Sequence, residues 1–266
     1  MEKKESLIKK LKNEIKKKDK KTLTAYLILR ALVIICMILE IIHGEMQNAL
    51  LCLLSLILFL LPSLVEKKLK IDLPDTLEII IYLFIFAAEI LGEINNFYIE
   101  LPHWDDILHT INGFLCAAIG FSLFDLLNKI EPDRKLNLSP LYLCIVSFCV
   151  SMTIGVLWEV FEYSMDNILL FDMQKDTIVE EISTVTLDPK QNNETIIVNG
   201  IDRTIIYDKD GKELVNMNGY LDIGIHDTMH DLIVNFIGAF VFCVFGYFYQ
   251  VKDKNKFIRK LMPRKI

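Results

Sequence analysis

The chain has 266 residues, 53% of them apolar, with a mean hydropathy of +0.37 and a formal charge of −6. Soluble domains average about 45–50% apolar even with glycine counted. Collagen, low-complexity disorder and a disulfide-rich mini-protein are thereby excluded, and the clumping of the apolar residues points to a membrane protein.

Residues 1–22 carry ten Lys, with Leu7, Leu11 and Ile15 on one stripe. They read as a basic, amphipathic cytoplasmic segment lying on anionic lipid of the inner leaflet. Nucleic acid is not an implied partner, because basic residues beside a span are what membrane orientation already requires. Apolar runs follow at 23–42, 49–65, 107–127, 141–161 and 230–250, each of 17 to 21 residues. A bilayer core of about 30 Å needs about 20 residues per helix. A further run at 77–97, LEIIIYLFIFAAEILGEINNF, fits in length but holds Glu78, Glu89 and Glu93. Counting it, the fold class is an all-α integral membrane protein, a bundle of six transmembrane helices. The run at 23–42 reads as an anchor, since no small-residue cleavage site follows Ile42. All six Cys lie inside apolar runs and read as small buried hydrophobes.

Of the 29 Lys and Arg, 23 lie at 1–22, 66–76, 128–140 and 251–266, while 43–48 and 94–106 carry none. That asymmetry predicts a bacterial plasma-membrane protein with both termini cytoplasmic. Arg30 then snorkels to the inner face. Trp104 and Trp158 fall near the outer boundary, and Tyr26 and Tyr142 near the inner one. Residues 23–175 form the first five helices of the bundle, 223–250 the sixth, and 251–266 a basic tail. Between them, residues 176–222 form an extracytoplasmic insertion. Its short β-prone runs, broken by Asn199-Gly200 and by Asp208 to Gly211, predict a small β-meander. From 163 to 224 there are 12 acids and 5 bases.

Charged side chains inside a bilayer are costly and mark sites. The run at 77–97 carries Glu89, Glu93 and Asn96. The run at 107–127 opens after Asp105 with His109, Asn112 and Gly113. The run at 141–161 leads to Gly155, Glu159, Glu162 and Asp166, and the last run has Asp227, Asp231, Asn235 and Gly238 on one stripe. His226 and His230 lie about 100° away from that stripe. By the predicted topology all four stripes occupy the outer half of the membrane, and Gly113, Gly155 and Gly238 permit close helix approach. Such a bundle gathers about six carboxylates and one or two imidazoles in one outward-facing cavity. No thiolate joins them, so the donor set suits a divalent cation, Mg, Mn, Ca or Zn. The candidate ligands are Asp105, His109, Glu159, Glu162, Asp227 and Asp231, with Glu93, His230 and Asn235 around them. Asp105 and Asp227 also fit N-caps of their helices. His43 and His103 read as loop histidines, and Glu40 and Glu78 as solvated boundary residues.

DDILHTING at 105–113, WEVFEY at 158–163 and DTMHDLIVNFIGA at 227–239 resemble the three signatures of the YjdF family of six-span bacterial inner-membrane proteins. The DxxxH and DxxxN patterns are more loosely similar to VanZ-like proteins. The resemblance implies the fold and topology and supplies no reaction. Carried over, it marks Asp105, His109, Gly113, Glu159, Glu162, Asp227, Asp231 and Gly238. The chain departs from the family in Asp106, where a basic residue is common, and in the long insertion before Asp227.

Three functions compete. One is an envelope protein whose outer cavity binds a divalent cation or a polar head group. Another is a metal-dependent hydrolase or transferase acting on lipid, with Glu159 or Glu162 as catalytic base. The third is a cation- or proton-coupled transporter using Glu89 and Glu93 as a relay. No Ser-His-Asp pattern, P-loop or internal repeat favours the latter two, and the acids are expected to stop in the outer half, leaving no path across. The oligomeric state is not legible.

Overall fold

The computed structural model describes residues 20–69, 71–130, 138–251 and 264–265. The predicted amphipathic stretch before Lys20, most of the basic loop at 128–140 and most of the basic tail lie outside the described residues. The chain forms two compact units, Met1–Val156 with Leu232–Ile266, and Leu157–Asp231.

In the first unit, α1 (Lys20–His43) turns back through Gly44 into α2 (Met46–Leu58), which is followed by α3 (Leu61–Leu69). The break at Phe59 and Leu60 has a local cause. Pro62 has no N–H, and its ring would collide with the carbonyl of Leu58, four residues earlier. A short strand, β1 (Ile71–Asp72), precedes α4 (Asp75–Ile85), which continues into a π-helix, π1 (Phe86–Ile94). The one-turn α5 (Phe97–Glu100) leads to α6 (Trp104–Ile130) and α7 (Pro140–Leu169), and α8 (Ile225–Val251) returns to this unit.

Five helices among the described residues are long and apolar enough to cross a membrane: Lys20–His43, Met46–Lys68, Trp104–Asp125, Pro140–Leu169 and Ile225–Val251. The uniform helix predicted over 77–97 is not among them. Its three acids interrupt the apolar run, and beyond Ile85 the backbone widens to i→i+5 bonding. It ends where Asn95 donates both its backbone N–H (3.1 Å) and its Nδ2 (2.6 Å) to the Ile90 carbonyl, and where Asn96 turns left-handed with φ 57°.

Helix ends are tied in sets. Thr22 Oγ1 donates to Asp75 Oδ1 at 3.0 Å, which joins the starts of α1 and α4. Gln250 Nε2 donates to Asp125 Oδ1 at 3.0 Å, near the ends of α8 and α6. Glu66 Oε1 accepts the Leu73 N–H at 3.0 Å. A strand at Arg264–Lys265 pairs antiparallel with β1.

Two large buried clusters fill the unit. Leu29, Val33, Cys52, Phe59, Tyr82, Ile85 and Ile90 join α1, α2, α4 and π1. Ala117, Ala118, Phe121, Leu143, Cys144, Ala239, Phe242 and Cys243 join α6, α7 and α8. The outward faces stay apolar and exposed, as at Leu27, Ile35, Ile57, Phe240 and Phe245. Surfaces of that extent are stable against lipid rather than water.

The second unit holds the end of α7, the insertion and the first turns of α8. Its strands are β2 (Ile178–Val179), β3 (Glu181–Thr184), β4 (Ile196–Asn199), β5 (Arg203–Tyr207), β6 (Glu213–Asn218) and β7 (Tyr220–Leu221). The expected meander is instead three separate antiparallel pairs. β3 pairs with β4 and β5 with β6, while β2 and β7 close the base. The pairs are two-stranded because Gly200 and Gly219, at φ 67° and 70°, turn the chain out of each ladder. Between β3 and β4, Asp188 accepts the backbone N–H groups of Lys190 (3.0 Å), Asn192 (2.7 Å) and Glu194 (3.2 Å). The Lys190 bond, with the other two, holds its carboxyl below the ordinary value of 3.8. Asp222 is pushed up by partial burial, but the N–H groups of Thr177, His226 and Gly224 outweigh this and hold it low. Asp176 runs the other way, raised by burial and then by Asp172, Asp222 and Asp166.

Candidate functional site

The site is built where α6, α7 and α8 approach closely. A Cβ on Gly113 would lie 2.1 Å from the Asn235 carbonyl oxygen, and one on Gly238 would lie 2.0 Å from that of Thr110. A Cβ on Gly155 would meet the Asn235 side chain at 2.8 Å. The three glycines picked out in the sequence are thus the points at which backbone meets backbone or the central amide. Asn235 is fully buried there. Its Oδ1 accepts from Asn112 Nδ2 at 3.2 Å, and its Nδ2 points at Met152 Sδ at 3.5 Å. Ser151 Oγ donates to the Gly113 carbonyl at 2.8 Å. This pinned seam fixes the rotation of α6 and α8, and so decides where the residues one and two turns earlier stand.

One turn before Gly113 is His109, and one turn before that is Asp105. His109 Nε2 lies 3.4 Å from Asp105 Oδ1, with the imidazole buried and the carboxylate half-buried. One turn before Asn235 is Asp231, also buried. Asp105, His109 and Asp231 each offer one ligand atom, all within 4.8 Å of one another. Ligands around an ion with bonds of about 2.0–2.2 Å stand about 3 Å apart, so small rotamer changes would close the set. One nitrogen and two carboxylates suit a hard or borderline divalent cation and leave further positions for water or an anionic ligand.

The other predicted ligands have these surroundings. Glu159 and Glu162 are both buried, and Glu162 Oε1 accepts from Trp158 Nε1 at 2.9 Å. Asp227 Oδ2 accepts the Lys175 backbone N–H at 2.8 Å, and Asp166 accepts those of Met173 (2.7 Å) and Gln174 (2.9 Å). Asp166 and Asp227 thus hold the segment at 173–175. His230 is exposed, and Glu93 is half-buried on π1. The predicted capping roles are corrected too. α6 begins at Trp104, so Asp105 lies inside its first turn. In α8 the first-turn N–H of His226 is taken by Asp222 at 2.8 Å. Asp106 and His103, read apart in the sequence, pair at 2.6 Å; their i,i+3 spacing was the available signal. Glu78, expected to be solvated, is 1% exposed and accepts from the Tyr82 hydroxyl at 2.6 Å.

A family of predicted membrane proteins, DUF2238, matches residues 25–188, more than half of the chain. The chain belongs to the DUF2238 family. The match takes in Asp105, His109, Glu159 and Glu162, whereas Asp227, Asp231 and Asn235 lie beyond it. An uncharacterized protein of Thermotoga maritima is 28% identical over 108 residues, which are 41% of this chain and 53% of that protein. The chain therefore spans about half the length of the curated relative it matches. No solved structure matches it.

Proposed function

We propose that this DUF2238 protein is a six-span protein of the bacterial plasma membrane whose Asp105, His109 and Asp231 bind a divalent cation, Mg, Mn, Ca or Zn, in an outward-facing cavity. The observation that carries the reading is the convergence of three ligand atoms within 4.8 Å. The cation would leave positions open for a polar head group. Both termini are assigned to the cytoplasm on the distribution of Lys and Arg. In support, Thr22 meets Asp75, Asp125 meets Gln250, and β1 pairs with Arg264–Lys265. α4 and π1 together run for twenty residues, about 30 Å at helical rise, and complete the six. Within the family, the motifs at 105–113 and 158–163 favour a YjdF-like protein.

The test is metal content and thermal shift of the purified protein. A divalent ion at a hundred times its Kd should stabilise by about 2.7 kcal/mol. His109→Ala and Asp231→Asn should remove that shift while leaving the metal-free melting point near wild type. If no divalent ion changes stability, the reading fails.

A further inference from the structure

The titratable groups of α4 and π1 are not among the three whose ligand atoms stand within 4.8 Å of one another. Glu78, Tyr82, Glu89 and Glu93 follow one another along this helix from its start to its end. Glu78 is buried and bonded to Tyr82. Glu89 is 2% exposed, and its Oε2 makes no hydrogen bond among the described residues. Glu93 lies four residues on and is the charged group that acts on Glu89. From α2, Cys52 lies within electrostatic reach of Glu89, and also of Cys36 and Glu40 on α1. Glu40 accepts from Asn48 Nδ2 at 3.0 Å. α6 also packs on π1 and carries Asp105, Asp106 and His109 in its first two turns. Arg30 is committed to Tyr26, as hydrogen-bond donor and over its ring.

A carboxylate so buried, with an oxygen that no donor satisfies, is costly as an anion. Either a cation or a proton relieves that cost. Glu89 belongs to no group of three ligand atoms close enough to hold a metal ion among the described residues, which leaves the proton. The π geometry is the kind of helix irregularity found at functional positions. Glu78 and Tyr82 stand near the start of this helix and Glu89 and Glu93 near its end, with about 10 Å of helix between Tyr82 and Glu89.

We propose that Glu89 is a membrane-embedded proton-exchange site, loaded through Glu93, and that Tyr82 and Glu78 continue the line toward the start of α4. In the exchange an O–H bond of the Glu93 carboxyl breaks and one forms at Glu89 Oε2. The negative charge passes to Glu93, and no other bond changes. Two measurements on the full chain test this. Dicyclohexylcarbodiimide, an apolar reagent for protonated carboxyls, should form an adduct at Glu89 in the folded protein, read by mass spectrometry. Labelling of Glu89 only after denaturation would overturn the site. In pyranine-loaded vesicles clamped with potassium and valinomycin, wild type should acidify faster than protein-free vesicles after an acid jump. Glu89→Gln should lose that excess and Glu89→Asp should retain part of it. Equal rates for wild type and Glu89→Gln would overturn the line. Should Glu89→Gln fail to fold, carbodiimide labelling of wild type decides alone.

Discussion

Gly238→Ala tests the helix seam on which the site depends. The added methyl would lie 2.0 Å from the Thr110 carbonyl oxygen, 2.9 Å from its carbon and 3.0 Å from the Phe114 nitrogen. Ordinary contact begins at 3.4 Å, so α6 and α8 must part by about 1.4 Å, a distance no rotamer can supply because every obstacle is backbone. Overpacking costs about 1–3 kcal/mol, and a rigid obstacle puts this case at the upper end. For a chain of this size each kcal/mol moves the melting point by about 2–4 °C, giving a fall of about 6–12 °C. Thermal size-exclusion profiles in detergent read it directly. Ile237→Ala, one residue earlier on the exposed face, is the control and should melt near wild type. A Gly238→Ala protein that melts within a degree of wild type would refute the close approach and the placement of Asp231 that follows from it.

Further outcomes are expected. Because the folded values of Asp188 and Asp222 lie below the ordinary 3.8, their stabilisation is complete above that value and is lost as pH falls through the folded values. The insertion should therefore hold its near-ultraviolet signal at pH 5 and lose it below about pH 4, with Asp188→Asn flattening the acid limb. Tyr82→Phe removes a donor from buried Glu78 and should cost about 1–3 kcal/mol, read as a lower melting point. Asp227→Asn should loosen the segment at 173–175, seen as faster proteolysis there with the bundle intact. Gly200→Cys should be labelled from outside intact cells and Asp133→Cys should not, the reverse of which would overturn the assigned orientation.

Much of the fold was legible because lipid imposes a coarse rule. Twenty apolar residues read as a span in any context, and five of the six predicted runs are helices of that kind. The small-residue positions were equally open to reading, since Gly113, Gly155 and Gly238 share faces with the polar stripes. The insertion was harder. Strands at 196–199, 203–207 and 213–218 were visible from their turns, but pairing is set by contacts distant in sequence, and β3 gave no local signal. At the site, the i,i+4 spacing was enough to set His109 beside Asp105. It could not distinguish carboxylates that face one another from Asp227, whose partner is a backbone N–H 52 residues away. Glu78 was misread because distance from a boundary says nothing about what covers a side chain.

The π geometry of residues 86–94 bears on how this helix can change over time. An extra residue in a membrane helix cannot loop out into lipid, where its amides would go unpaired. A π turn takes it up within the helix by widening to i→i+5 bonding. Residues 86–94 are thus the place where α4–π1 can gain or lose a single residue and still reach the same two ends. A residue removed here would return the turn toward α geometry and leave the residues on either side on the faces they already hold. The same deletion within the α-helical stretch would instead turn everything beyond it by about 100°.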